Sequence, residues 1–173
     1  MGAARAAIGA RGQGVKHSGE PDDRLRELVV ALEAQARAEE GREVRAGRAA
    51  ELIRQAGGYR WVGLYDVTDR EIAVVGWSGP SGPTHPRFAR SQGLNGAAVA
   101  SGRPVVVQDV SKDGRYLQTL GDTRGEMILP VRDRTGAVVG TIDVESAAVD
   151  AFGDEDEALL ARCAQALRGL WGS

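Results

Sequence analysis

Gly93-Leu94-Asn95-Gly96-Ala97-Ala98-Val99-Ala100-Ser101-Gly102-Arg103-Pro104-Val105-Val106-Val107-Gln108-Asp109-Val110 is the stretch whose reading decides the fold. Gly93 and Gly96 let the backbone turn tightly where a helix begins, and the free N–H groups of that first turn can face an anionic or carbonyl ligand. The small residues that follow suit a short helix, and Gly102 suits its C-cap. Pro104 fits the first residue of a strand, whose β-branched run continues through Val107. Asp109 is placed to hold the next loop by side-chain-to-backbone hydrogen bonds.

On the upstream side, Arg60–Val67 and Glu71–Ser78 are β-rich segments separated by the polar Thr68-Asp69-Arg70, which predicts a hairpin. The segment between Ser78 and Gly93, with Gly79, Pro80, Gly82, Pro83 and Pro86, is too broken for regular structure. Before the hairpin, Leu25, Leu28, Val29 and Leu32 recur at helical spacing from Pro21 to a break at Gly41. A second helix is expected from about Arg42 to Ala56, with Val44, Leu52 and Ile53 inward and Gly57-Gly58 ending it. On the downstream side, Glu126–Val131 and Ala137–Ser146 are two further strands joined by Asp133-Arg134-Thr135-Gly136. The last helix opens with Asp154 and Glu157 at capping-box spacing and carries Leu159, Leu160, Cys163, Leu167 and Leu170 on one face. The pattern predicts an α+β domain: an antiparallel β-sheet of five to six strands flanked by N- and C-terminal helices. Residues 1–20, rich in Gly, Ala and Arg without hydrophobic period, read as a disordered tail, and 21–173 as one domain.

Composition narrows the function. The 173 residues are 42% hydrophobic and 27% charged with a formal net charge of −2, so no overall electrostatic case exists for nucleic acid. No apolar run suffices for a membrane span, and no secretory h-region is seen, so a cytoplasmic location is expected. Cys163 is the single cysteine, which excludes an intramolecular disulfide and a multi-cysteine metal site. No cofactor is implied.

The glycine-helix-strand stretch, the hairpin before it, the paired strands ending Gly140-Thr141-Ile142-Asp143-Val144-Glu145-Ser146 and the helix after Phe152 together resemble GAF domains, over a core of 42–170. Within that family the pattern is similar to the free methionine-R-sulfoxide reductases. The resemblance implies a pocket in which Glu126, Asp143 and Glu145 hold an amino group. Strand alternation puts Asp143 and Glu145 on one face. Three carboxylates in one cavity repel unless a cation sits among them or one takes up a proton, which points to an ammonium or guanidinium ligand. The reductase chemistry is denied by the same alignment: where thiols are needed for attack on sulfur and disulfide formation, this chain has Thr119, Asn95 and His85. Cys163, among leucines on a helix face, reads as a buried structural thiol.

Other residues are weighed against plainer uses. Phe152, Asp156 and Glu157 fit half of a cyclic-nucleotide GAF pattern, but a core aromatic and helix-end acids account for them. His85 is a loop histidine without a second metal ligand nearby, since His17 lies in the tail. Trp61, Tyr65 and Trp77 on the hairpin read either as pocket walls or as core. Trp171 reads as a helix-end packing or dimer contact. Arg87, Arg90 and Arg124 could meet a ligand carboxylate or simply be solvated.

The expectation is therefore a non-catalytic sensor for a small amine-bearing metabolite, sited at Trp61, Tyr65, Gly93, Asn95, Gly96, Thr119, Glu126, Asp143 and Glu145. Binding would order the Ser78–Gly93 lid, and the signal would pass through a homodimer or a partner protein. A reductase-like enzyme and a ligand-free structural or dimerisation module are the alternatives.

Overall fold

The computed structural model describes residues 21–118 and 120–172. Two helices lead, α1 (Pro21–Arg37) and α2 (Arg42–Gly57), followed by the hairpin β1 (Trp61–Val67) and β2 (Glu71–Ser78). A short strand β3 (Arg87–Ala89), helix α3 (Gly93–Ser101) and strand β4 (Val105–Val107) come next. After a 3-10 turn at Val110–Lys112 the chain forms β5 (Gly125–Arg132) and β6 (Val138–Ser146). Helix α4 (Asp154–Ala166) and a 3-10 turn at Arg168–Trp171 close it. The expected tail, residues 1–20, lies outside the described residues.

The six strands form one sheet in the order β3-β2-β1-β6-β5-β4, with every neighbouring pair antiparallel. Pairing of β1 with β6 joins the two halves of the chain and puts Trp61 opposite Glu145, Gly63 opposite Asp143 and Tyr65 opposite Thr141. Because cross-strand partners point to the same side of a sheet, these pairs define one face. Val62, Leu64, Met127, Leu129, Val131, Ile142 and Val144 define the other. That second face is covered by α1, α2 and α4, with Leu32, Ile53, Leu160, Cys163 and Leu167 fully buried in the layer between. Burying each such side chain contributes on the order of 1.5–3 kcal/mol, so this layer carries most of the stability.

Four sequence expectations need correction. Helix α2 does not bury Val44, which is 50% exposed; it buries Ala46, Ala49, Ala50 and Ile53. The reason is close approach: a Cβ on Gly76 of β2 would stand 2.5 Å from the Gly47 nitrogen and 2.6 Å from the Ala46 Cβ, so only small residues fit this crossing. Strand β3 is regular structure inside the loop expected to have none, paired to β2 through Ala73–Arg87, Ile72–Phe88 and Glu71–Ala89. The cap of α4 is neither Asp154 nor Glu157. Asp156 accepts the Gly153 N–H at 2.9 Å and the Tyr59 hydroxyl at 2.9 Å, tying the helix start to the end of α2. Helix α1 also ends at Arg37, short of the break expected at Gly41.

Trp171 has a packing use within the chain: its ring covers Gly140 of β6, and its Nε1–H donates to the Tyr65 carbonyl at 3.2 Å. Nearby, Arg42 of α2 forks onto Asp66 of β1 and donates through Nε to the Leu170 carbonyl at 2.8 Å. Both contacts fasten the C-terminal turn to the strand that carries Tyr65.

Candidate functional site

The face of the sheet away from the three long helices carries the acids. Glu126 on β5 is the direct partner of Glu145 on β6, and Asp143 lies two residues along, opposite Ile128. All three are buried, at 3%, 0% and 1% exposure respectively. Carboxylates are almost never buried to this extent without partners, so what surrounds each one decides the chemistry.

Helix α3 lies over this face and supplies Asn95. Its Nδ2 donates to Asp143 Oδ2 at 2.9 Å, and its Oδ1 accepts the Thr141 hydroxyl at 2.5 Å. The Thr123 hydroxyl donates to Glu145 Oε2. Glu126 Oε2 and Asp143 Oδ1, by contrast, are buried without a hydrogen-bond partner. Burial first, and then the charges of Asp143, Glu145 and Asp113, push the Glu126 carboxyl well above the usual range. Asp143 is raised by burial and by Glu145, against the opposing hydrogen bond from Asn95. The Tyr65 phenol is likewise held up by burial and by the three acids.

A cavity of about 10 Å³ lies between these groups, room for a single water. Tyr65, His85, Phe88, Gly93, Leu94, Asn95, Leu117, Glu126 and Asp143 line it. Two segments close it from outside: the one carrying His85 and Phe88, and the one carrying Leu117. Gly93 stands at φ +75°, where an L side chain is strained, and starts the helix whose first turn faces the cavity. Gly96 permits a close approach instead: a Cβ there would fall 2.5 Å from the Ser91 carbonyl carbon.

Of the residues named from sequence, Tyr65, Gly93, Asn95, Glu126 and Asp143 line this cavity, while Glu145 is buried beside them. Thr119 lies outside the described residues. Trp61 is fully buried but stands behind the cavity, where its ring and that of Tyr65 (centroids 6.4 Å apart) flank Gly63. Its Nε1–H donates to the Ser81 carbonyl, in the segment after β2, at 3.1 Å. Trp77 is 38% exposed and does not line the cavity. Arg87 pairs with Glu71 and Arg90 donates to the Thr68 carbonyl, so both serve the hairpin; Arg124 is exposed. Asp109 holds its loop as expected, accepting from the Ser111 N–H and hydroxyl and pairing with Lys112, which lowers its carboxyl to about 2. Phe88, Leu94 and Leu117 were not read from sequence; Phe88 packs edge-on to Tyr65 at 5.8 Å. The signal available for it was an aromatic in an otherwise Gly/Pro-rich segment.

His85 is the sole basic side chain among the lining residues. Among the described residues no group of three His, Cys, Asp or Glu side chains is arranged to hold a metal ion. Cys163 is on the opposite face of the sheet, in the helical layer, and burial pushes its thiol up to about 12. A thiol in that state supplies almost no thiolate at neutral pH, and the sheet separates it from the acids. What the arrangement offers is a buried concentration of negative charge with two unsatisfied oxygens, suited to a small cation.

Comparison with known proteins agrees with the fold. Residues 41–168 match the GAF domain family model. GAF domain-containing protein A of Dictyostelium discoideum is 24% identical over 143 residues, covering 82% of this chain and 89% of that protein. Free methionine-R-sulfoxide reductase from Neisseria meningitidis, solved in complex with its substrate, superposes with a TM-score of 0.75 at 25% identity, covering 90% of this chain and 92% of that one. The type II free methionine-R-sulfoxide reductase of Thermoplasma acidophilum gives a TM-score of 0.69 at 28% identity, over 80% of this chain and 94% of the other.

Proposed function

The chain belongs to the GAF domain family, and from that premise we propose that it is a non-catalytic sensor module whose acidic cavity binds a small amine-bearing metabolite, a free amino acid fitting best. The observation that carries this reading is the pair of buried oxygens without partners among the described residues, Glu126 Oε2 and Asp143 Oδ1, at a cavity that no described lysine or arginine lines. An ammonium group supplies both the charge and the N–H donors that these oxygens lack. The first turn of α3, with N–H groups that have no intrahelical partner, can receive the ligand's carboxylate.

A cavity of about 10 Å³ cannot hold an amino acid. Binding therefore requires the segments bearing Phe88 and Leu117 to part, and ligand affinity then selects the open arrangement. The resulting change passes to a partner protein or across a dimer of this chain.

Thermal shift against free amino acids, methionine sulfoxide, polyamines and cyclic nucleotides tests the reading. A ligand at one hundred times its dissociation constant adds about 2.7 kcal/mol, a rise of roughly 5–10 °C for a chain of this size. The shift is expected with amine-bearing compounds and is expected to shrink in Glu126→Gln and Asp143→Asn. No shift with any amine, or an undiminished shift in both variants, removes the reading.

Two observations favour other uses. The likeness to two reductases supports turnover of free methionine sulfoxide with an external thiol, but the one cysteine is buried across the sheet from the acids. Release of free methionine by the purified chain with a thiol reductant would restore the enzyme reading. The small closed cavity favours a purely structural module, which a silent ligand panel would support.

A further inference from the structure

Resting on the amine-binding reading, we propose that the empty site holds a proton on Glu126, and that an ammonium ligand enters by displacing that proton to solvent. Three buried carboxyls share one face of β5 and β6, with Glu126 and Glu145 in direct cross-strand register and Asp143 next along the strand. Cross-strand partners stand within about 5.5 Å at Cβ, too close for all three to be ionised in a cavity that excludes water.

The hydrogen bonds favour Glu126 as the holder of the proton. Thr141 donates its hydroxyl to Asn95 Oδ1, and the Asn95 NH₂ donates to Asp143 Oδ2. Asp143 Oδ2 therefore accepts, so Asp143 has a donor that Glu126 lacks among the described residues. Glu145 Oε2 accepts the Thr123 hydroxyl. Among the described residues no hydrogen bond supports a charge on Glu126, and its Oε2 is buried without a partner there. The groups that face it from the packed elements do not help: Asp143 and Glu145 from β6, Tyr65 from β1, and Asp113 from the loop after β4, itself paired with Arg115. His85, at the cavity mouth, is exposed. Burial and these neighbouring acids raise the Glu126 carboxyl, in agreement with the geometry.

The exchange balances. Glu126 loses its proton to a water or buffer base, and the ligand keeps its three ammonium protons and pairs with the carboxylate left behind. One monovalent cation enters for one proton released. Affinity for an amine then falls up to tenfold for each pH unit below the Glu126 titration.

Infrared spectroscopy of the unliganded full chain at pH 7 reads the proton directly, through the carbonyl stretch of a neutral carboxylic acid. A buried neutral-acid band is expected in the wild type, absent from Glu126→Gln, in which an amide of the same shape replaces the neutral acid. In the wild type alone, the same band is expected to disappear as pH rises. Calorimetry with methionine sulfoxide as probe, repeated in two buffers of different ionisation enthalpy, is expected to count about one proton released per ligand. Absence of the band at pH 7, or its persistence in Glu126→Gln, overturns the placement whether or not the probe binds. Binding without proton release overturns the exchange and leaves the amine reading intact. A Glu126 band together with failure of every amine to bind supports the stored proton and removes the functional reading instead.

Discussion

Glu126→Gln should make the unliganded protein more stable at neutral pH. In the unfolded chain Glu126 ionises near pH 4.3; in the folded chain burial and the neighbouring acids keep it protonated well above that. Between the two titrations the folded state binds a proton that the unfolded state does not. Stability from this group is therefore greatest below about pH 4.3 and falls as pH rises through the window. Each pH unit over which the folded chain holds a proton that the unfolded chain has released costs about 1.36 kcal/mol of stability. Glutamine fills the same space without this term. At pH 7 the variant is expected to gain about 1–3 kcal/mol, the usual cost of a buried polar group without a partner, or several degrees in Tm. Near pH 4.5 the two proteins should converge. Glu51 and Asp113, whose partners hold them down to about 2, act in the opposite sense and lose their contribution only as pH falls toward that value, so they leave the window from pH 5 to 8 clear. Urea denaturation of both proteins at half-unit pH steps gives the difference curve. A variant as stable as the wild type or less so at every pH, with no convergence at the acid end, would falsify the argument.

The thiol of Cys163, buried in the helical layer and raised to about 12, should resist a disulfide-exchange reagent in the native protein and react fully in denaturant; rapid native labelling would contradict its placement. Gly140→Ala should cost about 1–3 kcal/mol in urea titration, because the added methyl would lie 2.3 Å from Trp171 and force that ring off its hydrogen bond to the Tyr65 carbonyl. Indole fluorescence should report the displaced ring, and an unchanged spectrum would count against the contact. Asp156→Ala removes the acceptor for both the Gly153 N–H and the buried Tyr59 hydroxyl, and should cost about 1–3 kcal/mol where Asp154→Ala costs less than about 1.

The ladder of elements was legible because its signals are local. Gly93 and Gly102 bracket α3 at the predicted residues, and the period-two strands around Thr68–Arg70 and Asp133–Gly136 pair as hairpins. Even the shared face of Asp143 and Glu145 followed from alternation alone. What escaped depends on contacts between distant segments. Val44 looked like a core residue by periodicity, but the inward side of α2 is set by how closely β2 approaches at Gly76. Strand β3 is three residues long and exists because β2 offers it an edge, which no local propensity announces. Trp61 and Tyr65 share a strand face, yet Tyr65 lines the cavity while the Trp61 indole is taken up by the Ser81 carbonyl. The capping acid was missed by position because Tyr59, ninety-seven residues earlier, selects Asp156 over its neighbours.

The two faces of one sheet therefore work in opposite energetic directions. On the helical side Val62, Leu64, Met127, Leu129, Val131, Ile142 and Val144 obey the rule that apolar groups are buried. On the other, the same strands bury Glu126, Asp143, Glu145 and Thr141 among Trp61, Tyr65 and Ile128. Glutamine at 126 would keep the shape of the side chain without its charge. Local violations of burial rules that the rest of the fold tolerates concentrate where a protein does something other than fold. Here the violation has a definite sign: negative charge without its counterion, closed off from water by Phe88 and Leu117. A group that supplies the positive charge relieves the strain of burial as it binds, so the cost that lowers the stability of the empty domain becomes differential affinity for the occupied one.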